Sequence, residues 1–157
     1  MTVGRFTSEK QHVALIEAVA PLLRTRGEWI FYVLGDGPLR QSLERKAAEE
    51  GLSDRILMPG RAGNLGDWYK RADLFVLSSR FEGFPNTLAE ALAHGVPSVS
   101  FDCDTGPAEM IRDEVDGLLV PPGNWEALKD SLSRLIDNEE ERKDFGLRAK
   151  EIRQRFS

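Results

Sequence analysis

A chain of 157 residues with 41% hydrophobic and 30% charged residues has the length and composition of one soluble globular domain. Its net charge of −5 and its lack of a long basic run argue against nucleic acid as a main partner. No apolar run approaches the ~20 residues of a membrane span, and no signal peptide opens the chain. The single cysteine, Cys103, excludes an internal disulfide, and we therefore expect a cytoplasmic protein.

The first third of the chain predicts two strands, each followed by a helix. Residues 3–5 are typical of the end of a strand, and residues 10–24 carry apolar side chains at helical spacing. A continuous apolar run at 29–34 predicts a second strand, buried on both faces, with a glycine-rich turn after it. That turn matches neither the dinucleotide fingerprint nor a P-loop. We interpret Gly37 as a residue that the tight turn requires. Gly35 has two alternative roles, the same turn function and contact with a ligand.

Two cations, Arg5 and Lys10, lie between the first predicted strand and its helix. Ligands bind at the carboxyl ends of the strands in an open α/β sheet. Lysine at a helix start is unfavourable for the helix dipole, which indicates that Lys10 has another reason to be there. The alternative is a pair of solvated cations on a loop. The two histidines, His12 and His94, are interpreted as helix-surface residues, and no histidine metal site is expected.

Predicted strands at 55–59 and 73–78 lead to the most informative stretch, Glu82-Gly83-Phe84-Pro85-Asn86-Thr87-Leu88-Ala89-Glu90. A proline suits the first position of a helix, so we predict a helix over 85–94. Gly83 before it lets a ligand approach the main chain. The free N–H groups at such a helix start, together with the helix dipole, favour binding of a phosphate.

Two carboxylates, Glu82 and Glu90, flank this phosphate site. Because carboxylates repel phosphate, they are better suited to accept hydrogen bonds from neutral hydroxyl groups. Hydroxyl-binding groups on both sides of one anion site indicate a nucleotide sugar. The alternative is an ordinary helix N-terminus with an acidic first turn.

The last third of the chain predicts strands at 97–101 and 115–120, followed by two helices that begin at the capping residues Asn124 and Asn138. The second of these helices is expected to run to about residue 156. Between the strands, residues 102–107 lead to another helix start. Cys103 lies there beside two acids, with no cation that would lower the pKa of its thiol, so we do not expect a nucleophile.

Strands and helices thus alternate about six times, which predicts an α/β fold: a Rossmann-like, three-layer αβα arrangement with a parallel sheet of about six strands. The flagged turns all follow strands and should therefore gather at one edge of the sheet. Both ends of the chain look cut, since neither carries the expected start or stop signals. We expect residues 1–157 to be one domain excised from a longer protein.

Together these motifs resemble the C-terminal, donor-binding domain of retaining GT-B glycosyltransferases of the GT4 type (glycosyl transferases group 1). The matching segments are the opening at 3–10, the turn at 35–38, the E-x7-E stretch at 82–90 with its continuation to 97, and the segment at 117–122. They occur in the family's order and cover nearly the whole chain.

The resemblance implies a role for each site residue. Arg5 and Lys10 would neutralise the diphosphate of the donor, which is also the leaving group. Glu82 would bind a hydroxyl of the transferred sugar and Glu90 the ribose hydroxyls. The implied catalytic residues are Arg5, Lys10 and Glu82, and the implied donor-binding residues are Gly4, Gly35, Arg61, Ala62, Gly83, Phe84, Pro85, Asn86, Thr87, Leu88 and Glu90.

The resemblance also implies a substrate and a partner. The donor would be a nucleotide-diphosphate sugar, with a UDP-linked hexose or N-acetylhexosamine favoured by the segment at 102–107. Retaining transfer to a glycan or lipid-linked acceptor would need neither a cofactor nor a divalent metal. It would need the missing N-terminal acceptor domain, so we expect little transfer by this chain alone. For the full-length protein, peripheral association with the inner face of the membrane stays open. The alternatives are a nucleotide-sugar epimerase and a non-catalytic nucleotide-binding module.

Overall fold

The computed structural model describes residues 1–156 and divides the chain into two compact units, Met1–Gly63 (unit 1) and Asn64–Ser157 (unit 2). In each unit three parallel strands are connected by helices that flank them. This is a Rossmann-like αβα arrangement, and the six strands of the described residues confirm the predicted fold class. Hydrogen bonds join these strands as two sheets of three. No helix within residues 1–156 is both long and apolar enough to cross a membrane.

Unit 1 contains three short strands that pair in chain order, all parallel. Val33 and Leu34 of the middle strand are fully buried, and so are Leu15 and Leu43 of the two helices. Burial of these apolar side chains between strands and helices is what holds the unit together. The elements are β1 (Thr2–Val3), α1 (His12–Arg24), β2 (Phe31–Leu34), α2 (Arg40–Glu49) and β3 (Ile56–Leu57).

The first helix begins later than predicted. A 3-10 turn occupies Ser8–Lys10, and Gln11 then adopts the left-handed conformation with φ 57°. Lys10 therefore lies in the turn before α1. The prediction that His12 lies on the surface is wrong: it is 5% exposed, and its ring packs edge-on against Phe6 with centroids 5.6 Å apart. Because Gln11 is left-handed, it ends the 3-10 turn. The helix α1 then begins at His12, with the His12 ring in the core.

Unit 2 repeats the parallel pattern with longer strands. The strands again pair in chain order. Their residues are almost all buried, as expected for a sheet covered on both faces. The elements are α3 (Leu65–Arg71), β4 (Phe75–Leu77), α4 (Asn86–Ala93), β5 (Ser98–Phe101), α5 (Pro107–Met110), β6 (Gly117–Val120), α6 (Trp125–Asp137), α7 (Glu139–Ala149) and α8 (Ile152–Arg155).

The helix ends of unit 2 test the predicted caps. The Asn124 and Asn138 side chains each accept a hydrogen bond of 3.0 Å from the main chain three residues on, which confirms both caps. Pro85 is the N-cap of α4 and not its first helical residue as predicted. The predicted terminal helix is divided into α7 and α8, because Glu151 N–H donates to the Arg148 carbonyl in a tighter three-residue turn.

Candidate functional site

The carboxyl ends of the unit 1 strands are joined by main-chain hydrogen bonds that continue beyond the strands. Gly4 N–H donates to the last carbonyl of β2 at 3.0 Å, and Gly35 N–H donates to the Gly60 carbonyl at 3.1 Å. Gly4, Gly35 and Gly60 are therefore neighbours at one edge of this sheet. Arg61 and Ala62 follow directly in the chain, with Arg61 exposed and Ala62 half-buried.

Glycine is required at position 35 because the ends of β1 and β2 approach each other closely there. A Cβ atom at this position would lie 2.1 Å from the Gly4 carbonyl oxygen, and the residue has φ +135°. Only glycine fits such a backbone conformation at such a distance. Packing accounts for this glycine fully, and the ligand role of Gly35 stays a prediction.

The segment that carries Arg5 and Lys10 is anchored at Phe6, which is fully buried. Phe6 N–H donates to the Asp36 carbonyl at 3.0 Å, and the Phe6 carbonyl accepts from Leu39 N–H at 3.1 Å. Arg5 is exposed and Lys10 is half-buried. The arrangement places two cations on a fixed stretch of main chain next to the ends of β1 and β2.

His12 lies beneath this cationic segment. A Cβ atom on Gly4 would lie 3.5 Å from its ring. Burial, with the charge of Lys10 as the second cause, lowers the pKa of His12 to about 4. The imidazole is therefore neutral at pH 7 and adds no positive charge to the segment.

In unit 2, the turn after β4 leads to the start of α4 between two carboxylates. The first intrahelical hydrogen bond of α4 runs from Ala89 N–H to the Pro85 carbonyl at 3.1 Å, and Pro85 offers no side-chain cap. The N–H groups of residues 86–88 thus precede the helical ladder and are available to an anion. Glu82 before them is half-buried and Glu90 after them is exposed.

A second loop, residues 102–106, holds this turn in place. The Thr105 hydroxyl donates to the Glu82 main-chain carbonyl. Gly106, with φ +97°, packs so closely that an added Cβ would lie 2.6 Å from Cδ of Pro85 and 2.9 Å from the Gly83 carbonyl oxygen. The sequence predicted that residues 102–107 lead to a helix start, but it did not predict this contact, which joins residues 23 positions apart.

The Cys103 thiol of the same loop is 3% exposed. Burial raises its pKa, and the charge of Glu82 raises it further. The thiol therefore stays protonated at pH 7, in line with the prediction that Cys103 is not a nucleophile.

Sequence reasoning missed Tyr69, a buried residue of α3 that contacts α4. Its hydroxyl donates to the Thr87 carbonyl at 3.1 Å, and its ring stacks on His94 with centroids 5.3 Å apart. His94, interpreted as a surface residue, is half-buried and its Nδ1 lies 2.8 Å from the Glu90 carbonyl oxygen. The available signal was a tyrosine in a short helix just before the strand that leads to 82–90.

Residues 1–152 match the family model of the glycosyl transferases group 1. The chain belongs to this family. An exopolysaccharide phosphotransferase of Streptomyces coelicolor is 38% identical over 154 residues, which is 98% of this chain and 16% of the relative. A lipopolysaccharide 1,6-galactosyltransferase of Salmonella typhimurium is 34% identical over 87% of this chain and 39% of the relative. The chain thus spans well under half the length of these relatives.

Solved structures of glycosyltransferases share the fold of this group 1 domain. A pneumococcal O-GlcNAc transferase in complex with UDP and GlcNAc is 26% identical, with a TM-score of 0.91 over 99% of this chain and 32% of its own. The C-terminal domain of a group 1 glycosyl transferase from Francisella tularensis is 24% identical, with a TM-score of 0.89 over 99% of this chain and 84% of its own. These likenesses confirm the GT-B fold that the sequence motifs predicted.

The predicted site residues of the group 1 domain lie after strands in both units. Unit 1 brings together the ends of β1, β2 and β3, where the predicted glycines and cations lie. Unit 2 brings together the turn at 82–85 and the loop at 102–106. The role of each residue in donor binding stays a prediction.

Gly106→Ala is expected to displace the turn at 82–85 and to destabilise unit 2 by about 2–4 kcal/mol, from backbone strain and overpacking together. The free energy of unfolding in urea measures this loss. Gly123→Ala is the matched control, since Gly123 has φ +78° but open space around it. Equal losses in the two variants would show that the contact with Pro85 does not constrain the turn.

Proposed function

We propose that this chain is the donor-binding domain of a glycosyltransferase in polysaccharide or lipopolysaccharide assembly. The observation that carries the proposal is the turn of unit 2, in which the main-chain amides of residues 86–88, at the start of α4, lie between Glu82 and Glu90. Membership of the group 1 family supports the same assignment. The low coverage of the relatives supports a longer protein in which residues 1–157 are one of two domains, the other carrying the acceptor site.

Each predicted binding group suits one part of a nucleotide-diphosphate sugar. The amides of 86–88 at the positive end of α4 bind a phosphate. Glu90 accepts hydrogen bonds from the ribose hydroxyls and Glu82 from a hydroxyl of the transferred sugar. Gly83 to Asn86 contact that sugar through the main chain, and the main chain near Arg61 and Ala62 binds the base.

Arg5 and Lys10 stabilise the leaving group in this proposal. Negative charge grows on the diphosphate as the sugar departs, and fixed cations stabilise it more in the transition state than in the ground state. As the resemblance to the family implies, no divalent metal is expected. The transfer follows the retaining GT4 course, and Glu82 is assigned to hydroxyl binding and not to nucleophilic attack.

A UDP-linked hexose or N-acetylhexosamine is the proposed donor. Two relatives support this choice: the pneumococcal enzyme was solved with UDP and GlcNAc, and the Salmonella relative is a galactosyltransferase. The acceptor is a glycan or a lipid-linked glycan. The full-length protein is proposed to work in the cytoplasm, in peripheral association with the inner face of the membrane.

Phosphoryl transfer is a second candidate, because the Streptomyces relative is an exopolysaccharide phosphotransferase. This chain covers only 16% of that protein, so its reaction need not depend on the shared domain. The products of the full-length protein separate the two candidates. Release of a nucleoside diphosphate with glycosylated acceptor supports glycosyl transfer, whereas release of a nucleoside monophosphate with a phosphosugar on the acceptor supports phosphoryl transfer.

Titration of the chain with UDP, GDP and ADP tests the site directly. We expect one nucleotide to bind selectively, and Glu90→Ala and Lys10→Ala each to weaken binding by about tenfold or more, since each removes a charged hydrogen-bonding group. Calorimetry measures the dissociation constants. Glu126→Ala is the control, because it removes an acid from the first turn of another helix, α6.

If neither substitution changes the dissociation constant, the nucleotide binds elsewhere on the chain. Failure of both the chain and the full-length protein to bind any of the three nucleotides would overturn the donor-binding proposal. An isolated C-terminal domain of this family has been crystallised, which supports the use of the chain alone.

A further inference from the structure

We propose that Phe156 is a positioning residue, which holds the turn at residues 82–85 in the shape that receives the transferred sugar. The inference rests on the proposed function and extends it to a residue outside the shared family sequence. Phe156 lies beyond residues 1–152, the part of the chain that matches the family model. All the contacts that carry the inference lie within unit 2.

The middle of this turn has little side-chain packing of its own. At its ends, the Glu82 carbonyl accepts a hydrogen bond from the neighbouring loop, and Pro85 is buried. Gly83 has no side chain, and a Cβ atom added there would meet nothing within 4 Å. Glycine also permits more backbone conformations than any other residue. Side-chain packing in the middle of the turn therefore comes from the ring of Phe84.

The Phe84 ring packs against Phe156. The two ring centroids lie 6.0 Å apart with an interplanar angle of 73°, an edge-to-face arrangement that aromatic pairs favour. Phe84 is 53% exposed and Phe156 is 45% exposed, so this pair is not part of the buried core. The contact links the turn to the residue that follows α8, and its loss leaves the core of unit 2 intact.

Arg155 fixes the position of the Phe156 ring. Its guanidinium donates to the Met110 carbonyl at 2.5 Å and to the Glu109 carbonyl at 3.3 Å, and it lies 3.8 Å from a carboxylate oxygen of the buried Asp116. The same guanidinium lies 5.7 Å from the centroid of the Phe156 ring, within the range of a cation–π contact. Because the end of α5 binds Arg155, it also holds the ring that contacts Phe84.

A fixed turn favours binding of the sugar more than binding of the nucleotide. In the proposed site the sugar contacts Glu82 and the main chain of residues 83–86. The phosphate contacts the amides of 86–88, and the ribose contacts Glu90. A turn that already has its bound shape loses less conformational entropy when the sugar binds. An aromatic pair of this kind is worth about threefold to tenfold in a binding constant.

The test compares nucleotide sugars with the free nucleotide. Calorimetry measures the dissociation constants of UDP, UDP-galactose and UDP-N-acetylglucosamine for the chain and for Phe156→Ala. We expect the variant to bind the preferred nucleotide sugar about threefold to tenfold more weakly and to bind UDP unchanged. Phe156→Tyr keeps the ring and should bind like the wild type. Leu147→Ala removes an exposed apolar side chain of α7 and, as the control, should change no constant.

The difference between the two kinds of ligand separates positioning from a general structural role. Equal weakening of UDP and nucleotide-sugar binding by Phe156→Ala would mean that the residue supports the fold of unit 2, and it would overturn the inference. In the Phe84→Ala background, Phe156→Ala should have no further effect, because the two rings act as a pair.

Glu82→Ala distinguishes failure of this inference from failure of the proposed function. If Glu82→Ala selectively weakens nucleotide-sugar binding and Phe156→Ala does not, the inference fails and the donor-binding proposal survives. If the wild-type chain binds neither nucleotide sugar, the inference fails together with the proposed donor.

Discussion

Gly35→Ala is expected to destabilise unit 1 by at least about 3 kcal/mol, from backbone strain and a steric clash together. The new Cβ would lie 2.1 Å from the Gly4 carbonyl oxygen and 3.3 Å from Cε1 of Phe6. The oxygen belongs to the main chain and cannot turn aside as a side chain does. Relief of the clash therefore requires the ends of β1 and β2 to separate. Urea unfolding followed by circular dichroism measures the loss.

Gly51→Ala is the matched control for this substitution. Gly51 also has a positive φ, +74°, but an added Cβ would meet nothing within 4 Å. It should cost only the left-handed backbone strain, roughly 1–2 kcal/mol. If the two variants were equally stable, the close approach of Gly4 and Gly35 would not exist in solution, and the edge that carries Arg5 would be differently shaped.

The parts of the fold that could be predicted are those set by local sequence. The asparagine caps were found because a cap and its amide are three residues apart. The second strand was predicted two residues too long, at 29–34, because long-range contacts decide where it begins. The Arg55 guanidinium binds the Trp29 carbonyl at 2.6 Å and the Leu23 carbonyl at 2.7 Å, across 26 and 32 residues. These bonds hold the chain around Trp29 in a turn.

The residues of the candidate site also divide into those that local sequence predicts and those that it does not predict. The E-x7-E stretch was found because its turn, its helix start and both carboxylates lie within nine residues. Tyr69 and Thr105 were missed because their hydrogen bonds to this stretch are long-range. Tyr69 is 18 residues away from its partner in the chain and Thr105 is 23 residues away. Those distances are bridged by the pairing of β4 with β5 and by the packing of α3, neither of which a local pattern reports. His12 was misplaced because nothing in the sequence predicts a left-handed Gln11.

Protonation of His12 is expected to make the stability of the chain depend on pH between about 6.5 and 4. The folded pKa is about 4 against an ordinary value of 6.5, so below pH 6.5 the unfolded chain binds a proton that the folded chain does not. Stability is therefore full above pH 6.5 and falls as the pH is lowered, by about 2 kcal/mol at pH 5 and about 3 kcal/mol at pH 4. The Nδ1 atom is buried and, among residues 1–156, without a hydrogen-bond partner, so a proton there would not be stabilised.

Urea unfolding at pH 7 and at pH 5 measures this effect in a window where most carboxylates stay ionised. His12→Phe keeps an aromatic ring beside Phe6 and should remove about 2 kcal/mol of the difference between the two pH values. The same loss of stability in the wild type and in His12→Phe would mean that the imidazole is hydrated in solution. The cations Arg5 and Lys10 would then lie over a polar layer, and the charge that they present to a diphosphate would be weaker than the dry core implies.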